Sequence, residues 1–297
     1  MFEEFKSAFS RPNNGHRQLI IINVVVFLSV GIVWVVSKIS GFEWVFTAVH
    51  NQFSIPPVFS DFILKPWTII TYAFMHDLYS ILHILGNMLV LYWFGKLFIE
   101  YLGSDKLIAL YLLGALAAGT TYLILFNTVP FFVNQSAGFA GMVGASGAVY
   151  AVMVGCATLL PDYTFFLLFI GPVRIKYIAG FFIVLSFLGT VQSNAGGNIA
   201  HLGGALMGFI YIKQLQVGVN WGGWITAVLN WFGNLFTASP KVKVSYRKSE
   251  SSNGKKATNA SGISQKEIDA ILDKISDGGY ESLTKDEKEK LFKASKK

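Results

Sequence analysis

The chain has a single cysteine in 297 residues, and its charged residues are few. One cysteine, Cys156, excludes an intramolecular disulfide, and a buried packing role is predicted for it. Charged residues make up 14% of the chain, whereas a soluble domain carries about 25%. Hydrophobic residues make up 53%. These proportions predict a membrane protein rather than a soluble domain.

The charges that are present are concentrated at the C-terminal end. More than half of the lysine and arginine residues follow Pro240, so the net charge of +7 belongs mostly to a soluble tail. Basic segments beside a membrane bind anionic lipid, and we favour that partner over nucleic acid. Residues 1–17 form a polar leader, and no cleavage site follows the first apolar run, so no removable signal peptide is expected.

Six apolar runs approach the length of roughly 20 residues that is needed to cross the hydrocarbon core of a membrane. They cover residues 19–37, 83–99, 107–126, 141–160, 175–188 and 199–215. Part of the fifth, around Pro172, Arg174 and Lys176, is expected at the interface rather than across the membrane. The predicted fold is therefore an all-α polytopic membrane protein, a bundle of six transmembrane helices.

The positions of lysine and arginine predict the orientation of this bundle. Connections 127–140 and 189–198 contain neither residue, whereas basic residues precede the first span and follow the sixth. Both termini are therefore expected on the cytoplasmic side of an inner (plasma) membrane. The first connection, 39–82, is apolar and broken by prolines. We expect it to be partly embedded in the outer leaflet, with Trp44 and Trp67 among the headgroups.

The sequence divides into five predicted segments. The leader, 1–17, precedes a membrane domain, 18–216, and an interfacial amphipathic helix, 217–239. A flexible linker rich in Lys, Ser, Asn and Gly covers 240–262, and a small helical hairpin is expected over 263–297. Ser264 with Glu267, and Thr284 with Glu287, have the spacing of capping boxes, and Gly278-Gly279 is expected to end the first helix.

Four polar side chains are expected at one depth inside the spans, where each costs on the order of 1–3 kcal/mol of free energy. Ser146 and His201 lie a few residues into spans that begin outside, about 5–10 Å below the outer surface. His83 and Asn87 begin the second span, and their i, i+4 spacing puts them on one helix face. Three helices thus bring a serine, two histidines and an amide together.

This set of side chains suits acyl transfer. The hydroxyl of Ser146 becomes a nucleophile when a neighbouring imidazole, here that of His201, accepts its proton. His83, Asn87 and the backbone N–H of Ser146 can donate to the negative charge that develops on a tetrahedral intermediate. No acidic residue lies at this depth, since Asp77 precedes the second span. The sequence therefore predicts a Ser–His dyad that uses neither a metal ion nor a cofactor.

Four glycines and a tyrosine are expected to shape this site. Gly144 and Gly147 allow the chain to bend sharply around the serine. Gly204 and Gly208, four residues apart, allow the helix of the histidine to pack closely on the helix of the serine. Tyr150 follows the serine by about one helical turn, and its ring is expected to lie under the imidazole and orient it.

The motifs together resemble the rhomboid intramembrane serine proteases. The matching segments are HILGN (83–87), GASG (144–147) and AHLGGALMG (200–208), in the order of the family, and PWTIITYAFMH and EYLGS are also similar. The resemblance covers about residues 18–216. It implies that Ser146 is the nucleophile and His201 the general base, with His83 and Asn87 as the oxyanion-stabilising pair. Thr68 is a departure, because rhomboids often have arginine there.

The resemblance also implies a substrate class. Rhomboids cleave single-pass transmembrane proteins within the lipid bilayer, here near the outer face, and prefer a small residue on the amino side of the cut. Substrates whose helix unwinds easily there, with Gly or Pro, are expected to be favoured. The terminal hairpin resembles a short tail domain of some bacterial rhomboids, and the sequence indicates no partner for it.

Two other function classes remain beside the protease. A catalytically silent rhomboid-like protein would bind membrane clients without cutting them. Loss of Ser146 or His201 would favour that function, and both residues are present. A small-molecule transporter would be indicated by charged residues near the midplane or by similar halves. The sequence shows neither feature.

Overall fold

The computed structural model describes residues 13–136, 141–236 and 265–295. The chain divides into two units, Met1–Ala238 and Ser239–Lys297. In chain order, the helices of the first unit are α1 (Gly15–Ser40), α2 (Glu43–Phe53), α3 (Phe59–Ile63), α4 (Thr68–Thr71), α5 (Ile81–Leu102), α6 (Ser104–Thr128), α7 (Pro130–Val133), α8 (Ser146–Leu159), α9 (Ile175–Gly189), α10 (Ala195–Gln216) and α11 (Gly223–Phe236). Strands β1 (Thr164–Leu167) and β2 (Gly171–Arg174) form an antiparallel hairpin between α8 and α9. The predicted all-α polytopic fold is confirmed.

Six of these helices correspond to the six predicted spans. By length and composition, α1, α5 and α6 are long and apolar enough to cross a membrane, and α8 and α9 are shorter apolar helices. Helix α10 has 22 residues. The main difference is at the fourth span, which was expected from residue 141. Helix α8 begins at Ser146, because residues 141–145 are apolar but are paired to another segment.

Helix α8 is the buried centre of the first unit. The backbones of α8 and α10 are in direct contact, with no side chain between them at two glycines of α10. A Cβ atom added to Gly204 would overlap the carbonyl oxygen of Gly147, and one added to Gly208 would overlap that of Ala151. Gly114 of α6 approaches α8 in the same way, at Ala148 and Ala151. Helices in lipid associate by close packing rather than by the hydrophobic effect, so these small residues determine how near the helices come.

The non-helical residues before α8 are paired with the first connection. Ile55 and Met142 exchange two backbone hydrogen bonds, of 3.1 and 2.9 Å, and the N–H of Gly144 donates to the carbonyl of Tyr72 at 3.0 Å. Irregular backbone is tolerated at membrane depth only where protein or a water-filled cavity satisfies its polar groups. The connection therefore supports the segment that carries Ser146.

The first connection is itself anchored to the helical core. The hydroxyl of Tyr72 donates to the carbonyl of Ala115 at 2.8 Å, and the hydroxyl of Tyr111 donates to that of Ala73 at 2.8 Å. Ile55, Tyr72 and Ala73 are buried. The segment expected to be partly embedded in lipid is thus also packed on protein. Trp44 and Trp67 are exposed, and the indole of Trp67 donates to the carbonyl of Gln52 at 2.8 Å.

Thr68, which stands where rhomboids often have arginine, is fully buried. Its hydroxyl donates to the carbonyl of Lys65 at 2.7 Å. The side chain therefore closes a local turn of the connection and leaves no buried hydroxyl without a partner.

The hairpin of β1 and β2 lies in the part of the fifth apolar run that was expected at the interface. Its tip exposes large apolar side chains, and Phe169, 97% exposed, has a positive φ of 70°. At its base, Asp162 accepts from Lys176 at 2.7 Å and from Arg174 at 3.2 Å. The bond from Lys176, followed by the charge of Arg174, lowers the pKa of this carboxyl. The apolar residues before α9 therefore form two strands and not an extension of the helix.

The second unit contains α12 (Gln265–Gly278), a short 3₁₀ turn (Tyr280–Ser282) and α13 (Lys285–Ser295). The second predicted capping box is present: Thr284 N donates to the Glu287 carboxylate at 2.8 Å, and Glu287 N donates to Thr284 Oγ1 at 3.4 Å. The bond from Thr284 N, followed by those from Lys274 and from the Thr284 hydroxyl, lowers the pKa of Glu287 to about 2. Gly279, with a φ of 74°, follows α12. Ser264, residues 1–12 and the linker 240–262 lie outside the described residues.

The contact between α8 and α10 predicts a large penalty for adding one methyl group. We expect Gly204→Ala to lower the free energy of unfolding by about 1–3 kcal/mol, because overpacking forces two backbones apart. Gly180→Ala is the matched control, since nothing lies within 4 Å of a Cβ added there in α9. Thermal unfolding in detergent micelles measures both. Equal midpoints for the two variants would contradict the packing described here.

His76 precedes α5 and is buried at 3% exposure, and neither of its ring nitrogens has a hydrogen-bond partner. Burial, followed by the neighbouring His83, lowers the pKa of His76 to about 4. The unfolded chain binds the same proton near pH 6.5. Between these values the unfolded chain binds more protons, so the contribution of neutral His76 to stability is lost as the pH falls.

We therefore expect acid sensitivity that depends on His76. At pH 4 the protonation of His76 in the unfolded chain favours unfolding by about 3 kcal/mol. His76→Phe removes the titrating group, so its stability should fall less between pH 7.5 and pH 4 than that of the unmodified protein. Unfolding midpoints of both proteins, measured across this range, test the expectation. Parallel pH dependences would show that His76 is not the group responsible.

Candidate active site

Ser146 is the first residue of α8, directly after a sharp bend. Gly144 has a φ of 139°, a conformation that favours glycine. A Cβ atom added to Gly144 would lie 3.2 Å from Nε2 of His83 and 3.4 Å from Oγ of Ser146. The side chains of His83 and Ser146 therefore border the space beside the Cα atom of Gly144, and any residue with a Cβ atom would fill part of it. The backbone N–H groups of the first turn of α8 have no acceptor within the helix and point toward this end.

His201 lies in the second turn of α10, above the ring of Tyr150. The two rings are stacked, with centroids 4.2 Å apart and an interplanar angle of 8°. The ring of Tyr150 thus lies under the imidazole of His201, as we expected from the sequence. Because α8 and α10 touch through Gly204 and Gly147, side chains one turn away on each helix reach each other directly.

The second ring nitrogen of His201 contacts a residue that the sequence analysis did not single out. Nδ1 of His201 lies 3.0 Å from Oγ of Ser186 in α9, and the Ser186 hydroxyl donates to the hydroxyl of Tyr150 at 2.9 Å. Ser186 is buried, in contrast to most of α9. The available signal was periodicity, because the buried residues of α9 recur at helical spacing and form one face: Ile175, Ala179, Ser186 and Gly189.

His83 and Asn87 lie in the first turns of α5, on one face as expected. The amide Nδ2 of Asn87 donates to the backbone carbonyl of His83 at 2.9 Å. An amide nitrogen carries two hydrogens, so one remains for another acceptor. The His83 ring also meets His76 edge-on, with centroids 5.4 Å apart. His76 thus packs against a predicted site residue.

One cavity joins the four predicted site residues. Its volume is about 350 Å³. Its polar wall includes His83, Asn87, Ser146 and His201, and its apolar wall includes Leu82, Val90, Val143, Val149, Met153 and Phe182. A larger cavity of about 630 Å³ shares His83 and contains Asp77, His50 and His76. An apolar pocket with a few convergent polar groups is the usual form of a small binding or catalytic site.

Ser146 and His201 both line this cavity, and among the described residues the side-chain hydrogen bond of the His201 ring joins it to Ser186 rather than to Ser146. Hydrogen bonds between a nucleophile and its base are often long in proteins without substrate and shorten when substrate binds. No carboxylate hydrogen-bonds to His201 among the residues that the structure describes, and Asp77 instead accepts from the backbone of Tyr79 at 2.9 Å. The same residues contain no cluster of side chains that could hold a metal ion.

This arrangement combines a hydroxyl at a helix start, an oriented imidazole and several N–H donors. The partial positive charge of the N-terminus of α8 favours negative charge near Ser146. The described geometry therefore brings together the kinds of group that acyl transfer uses: a hydroxyl, an imidazole and N–H donors.

Comparison with known proteins identifies related chains. A family profile described as "Rhomboid domain" matches residues 64–216, more than half of the chain. The RHOMBOID-like protein 12, mitochondrial, of Arabidopsis thaliana is 36% identical over 160 residues, which cover 51% of this chain and 47% of that protein. Rhomboid protein 1, mitochondrial, of Saccharomyces cerevisiae is 31% identical over 160 residues, covering 51% and 42%. The chain thus spans less than half the length of these curated relatives.

A third relative has a similar name. The Presenilin-associated rhomboid-like protein A, mitochondrial, of Danio rerio is 32% identical over 145 residues, which cover 47% of this chain and 35% of that protein. Residues 258–297 match a second profile, described as "Family of unknown function (DUF6576)". The tail is therefore similar to a segment found in other proteins, and its role is not indicated by that match.

These relatives correct the predicted location. All three are named mitochondrial, so the expected inner (plasma) membrane with cytoplasmic termini is wrong, and a bacterial type is not confirmed. The charge rule was insufficient here because it assigns the basic connections to one side of a membrane and does not identify which membrane that is.

Rhomboids are in general serine intramembrane proteases that act on membrane proteins in the bilayer, and the helical bundle described above has their fold. With more than half of its residues matching the rhomboid domain, on a membrane-spanning bundle, the chain belongs to the rhomboid family.

Proposed function

We propose that this protein is an intramembrane serine endopeptidase with Ser146 as nucleophile and His201 as general base. The observation that carries the proposal is the meeting of Ser146, His201, His83 and Asn87 on one cavity, with the imidazole stacked on Tyr150. Membership of the rhomboid family supports the same reaction class. Following the names of its relatives, we place the reaction in a mitochondrial membrane.

The reaction runs in two halves. Ser146 Oγ attacks the carbonyl carbon of the scissile peptide while its proton passes to Nε2 of His201. The C–N bond then breaks, the imidazolium gives the proton to the leaving amine, and an ester remains on Ser146. Water, deprotonated by His201, attacks this ester and releases the new carboxyl end together with the free hydroxyl of Ser146.

The charged intermediate needs donors that are already in place. We assign this role to the His83 ring, the free N–H of the Asn87 amide and the backbone N–H of Ser146. Because Asn87 already donates one hydrogen to the carbonyl of His83, its amide is held in orientation before substrate arrives. Preorganised donors lose no reorganisation energy at the moment of reaction.

The proposed substrate is a single-pass transmembrane protein that enters the cavity from the lipid. Its helix must unwind locally, because helical hydrogen bonds hide the scissile peptide. Gly or Pro near the membrane face on which Ser146 lies lowers the cost of that unwinding. The apolar wall of the cavity, including Val143 and Phe182, suits the side chains of such a segment.

A catalytically silent client-binding protein is the second candidate. The observation that favours it is that, among the described residues, the His201 ring hydrogen-bonds to Ser186 rather than to Ser146. Reactivity of the serine separates the two functions, because a binding protein needs no activated nucleophile.

Covalent labelling by a fluorophosphonate probe tests the dyad. We expect the detergent-solubilised protein to be labelled, and Ser146→Ala and His201→Ala to lose at least about 1,000-fold in labelling rate, as active-site substitutions do in serine hydrolases. Ser29→Ala, an exposed serine of α1, is the matched control and should label normally. Undiminished labelling of Ser146→Ala would place the nucleophile elsewhere. No labelling of folded protein, beside a reactive rhomboid control, would favour the silent binder.

Cleavage of a reporter tests the oxyanion donors. The reporter is a single-pass helix with a Gly-Pro pair near the Ser146 face and a fluorophore on each side. We expect His83→Ala and Asn87→Ala each to lower kcat by about 100-fold with KM little changed, because a lost oxyanion donor acts mainly in the transition state. If both variants keep full activity, these side chains have no such role.

A further inference from the structure

A chain of hydrogen bonds connects the candidate base to a backbone carbonyl of α9. Nδ1 of His201 lies 3.0 Å from Oγ of Ser186, and the hydroxyls of Ser186 and Tyr150 are 2.9 Å apart. The hydroxyl of Tyr150 is 3.4 Å from the carbonyl oxygen of Phe182. The bonds link α10, α9 and α8, and Ser186 is 2% exposed. This buried serine has no part in the reaction steps given above.

With the Tyr150 hydroxyl donating to the carbonyl of Phe182, every other proton in the chain has one direction. A carbonyl oxygen only accepts, so the Tyr150 hydroxyl donates its single proton to Phe182. The Tyr150 oxygen is then an acceptor, and the Ser186 hydroxyl donates to it. With its own proton committed, Ser186 Oγ faces His201 as an acceptor, and Nδ1 must carry the proton between them.

We infer that Ser186 is a positioning residue that holds neutral His201 in the Nδ1–H tautomer. Neutral imidazole carries one proton, so a proton on Nδ1 leaves a lone pair on Nε2. That lone pair is what a general base needs to take the proton from Ser146. Ser186 thus fixes the tautomer with a neutral hydroxyl, as a buried carboxylate does in a three-residue serine protease, but without the carboxylate's charge.

Burial and ring stacking make this role specific. A serine inside a helix usually donates to the carbonyl four residues earlier, which for Ser186 is Phe182. Here Tyr150 donates to that carbonyl, and the Ser186 hydroxyl is turned toward the imidazole. The Tyr150 ring restricts the plane of His201 by stacking at 4.2 Å, and Ser186 restricts which ring edge points away from Ser146.

The inference rests on the proposed protease function, and its first test does not require catalysis. Nitrogen-15 NMR of protein labelled at histidine distinguishes a protonated from a bare ring nitrogen, and the signals lost in His201→Ala identify His201. At pH 8 we expect Nδ1 of His201 to be protonated, and Ser186→Ala to give a mixture of both tautomers. A His201 protonated on Nε2 in the unmodified protein, or a tautomer unchanged in Ser186→Ala, would overturn the assignment.

Kinetics of the reporter helix provides the second test. We expect Ser186→Ala to lower kcat about 10-fold with KM unchanged, the effect of losing one hydrogen bond that orients the base. Ser186→Thr keeps a hydroxyl and should restore most of the rate, and Ser29→Ala should leave it unaltered. A kcat for Ser186→Ala equal to that of the unmodified protein, in a variant with an unchanged unfolding midpoint, would refute the inference.

The two tests separate this inference from the proposed function. If the fluorophosphonate fails to label Ser146 while His201 keeps its proton on Nδ1 through Ser186, the protease proposal fails and the tautomer assignment stands. If Ser146 is labelled and the tautomer of His201 is unchanged in Ser186→Ala, the dyad is supported and the role assigned to Ser186 is wrong.

Discussion

The structure depends on one requirement, that every backbone polar group at membrane depth must have a partner inside the protein. Helix α8 has 14 residues, about 21 Å of helix, whereas the hydrocarbon core is about 30 Å thick. It is therefore too short to cross the core by itself, and residues 141–144 precede it without helical hydrogen bonds. The first connection satisfies these residues through Ile55 and Tyr72. A cavity at the start of α8 is possible because that connection closes the bundle around it.

A second constraint is that charge is costly to bury, and the candidate site is built almost without it. Ser186 and Tyr150 orient His201 by neutral hydrogen bonds and ring stacking. A carboxylate in their place would have to lose its hydration, at a cost of several kcal/mol. Glycine contacts bring the two helices close enough for short side chains to meet, because Gly204 lets α10 lie against the backbone of α8.

The sequence predicted the six helices, since hydropathy reports runs long enough to cross a membrane. It did not predict the start of α8 at Ser146, because residues 141–145 are as apolar as the helix that follows. The β hairpin was missed because a continuous apolar run has no period that separates strand from helix. Ser186 escaped notice because its partner, His201, is 15 residues away in sequence, and only the packing of α9 on α10 brings the two together.

The lone cysteine has a practical consequence. Cys156 is fully buried in α8, and its thiol donates to the carbonyl of Phe94 at 3.2 Å, so soluble thiol reagents do not reach it while the protein is folded. The natural chain is therefore already a background for single-site labelling. A spin label or fluorophore attached to a cysteine introduced at any exposed position, such as Phe169 at the hairpin tip, would report from that position alone.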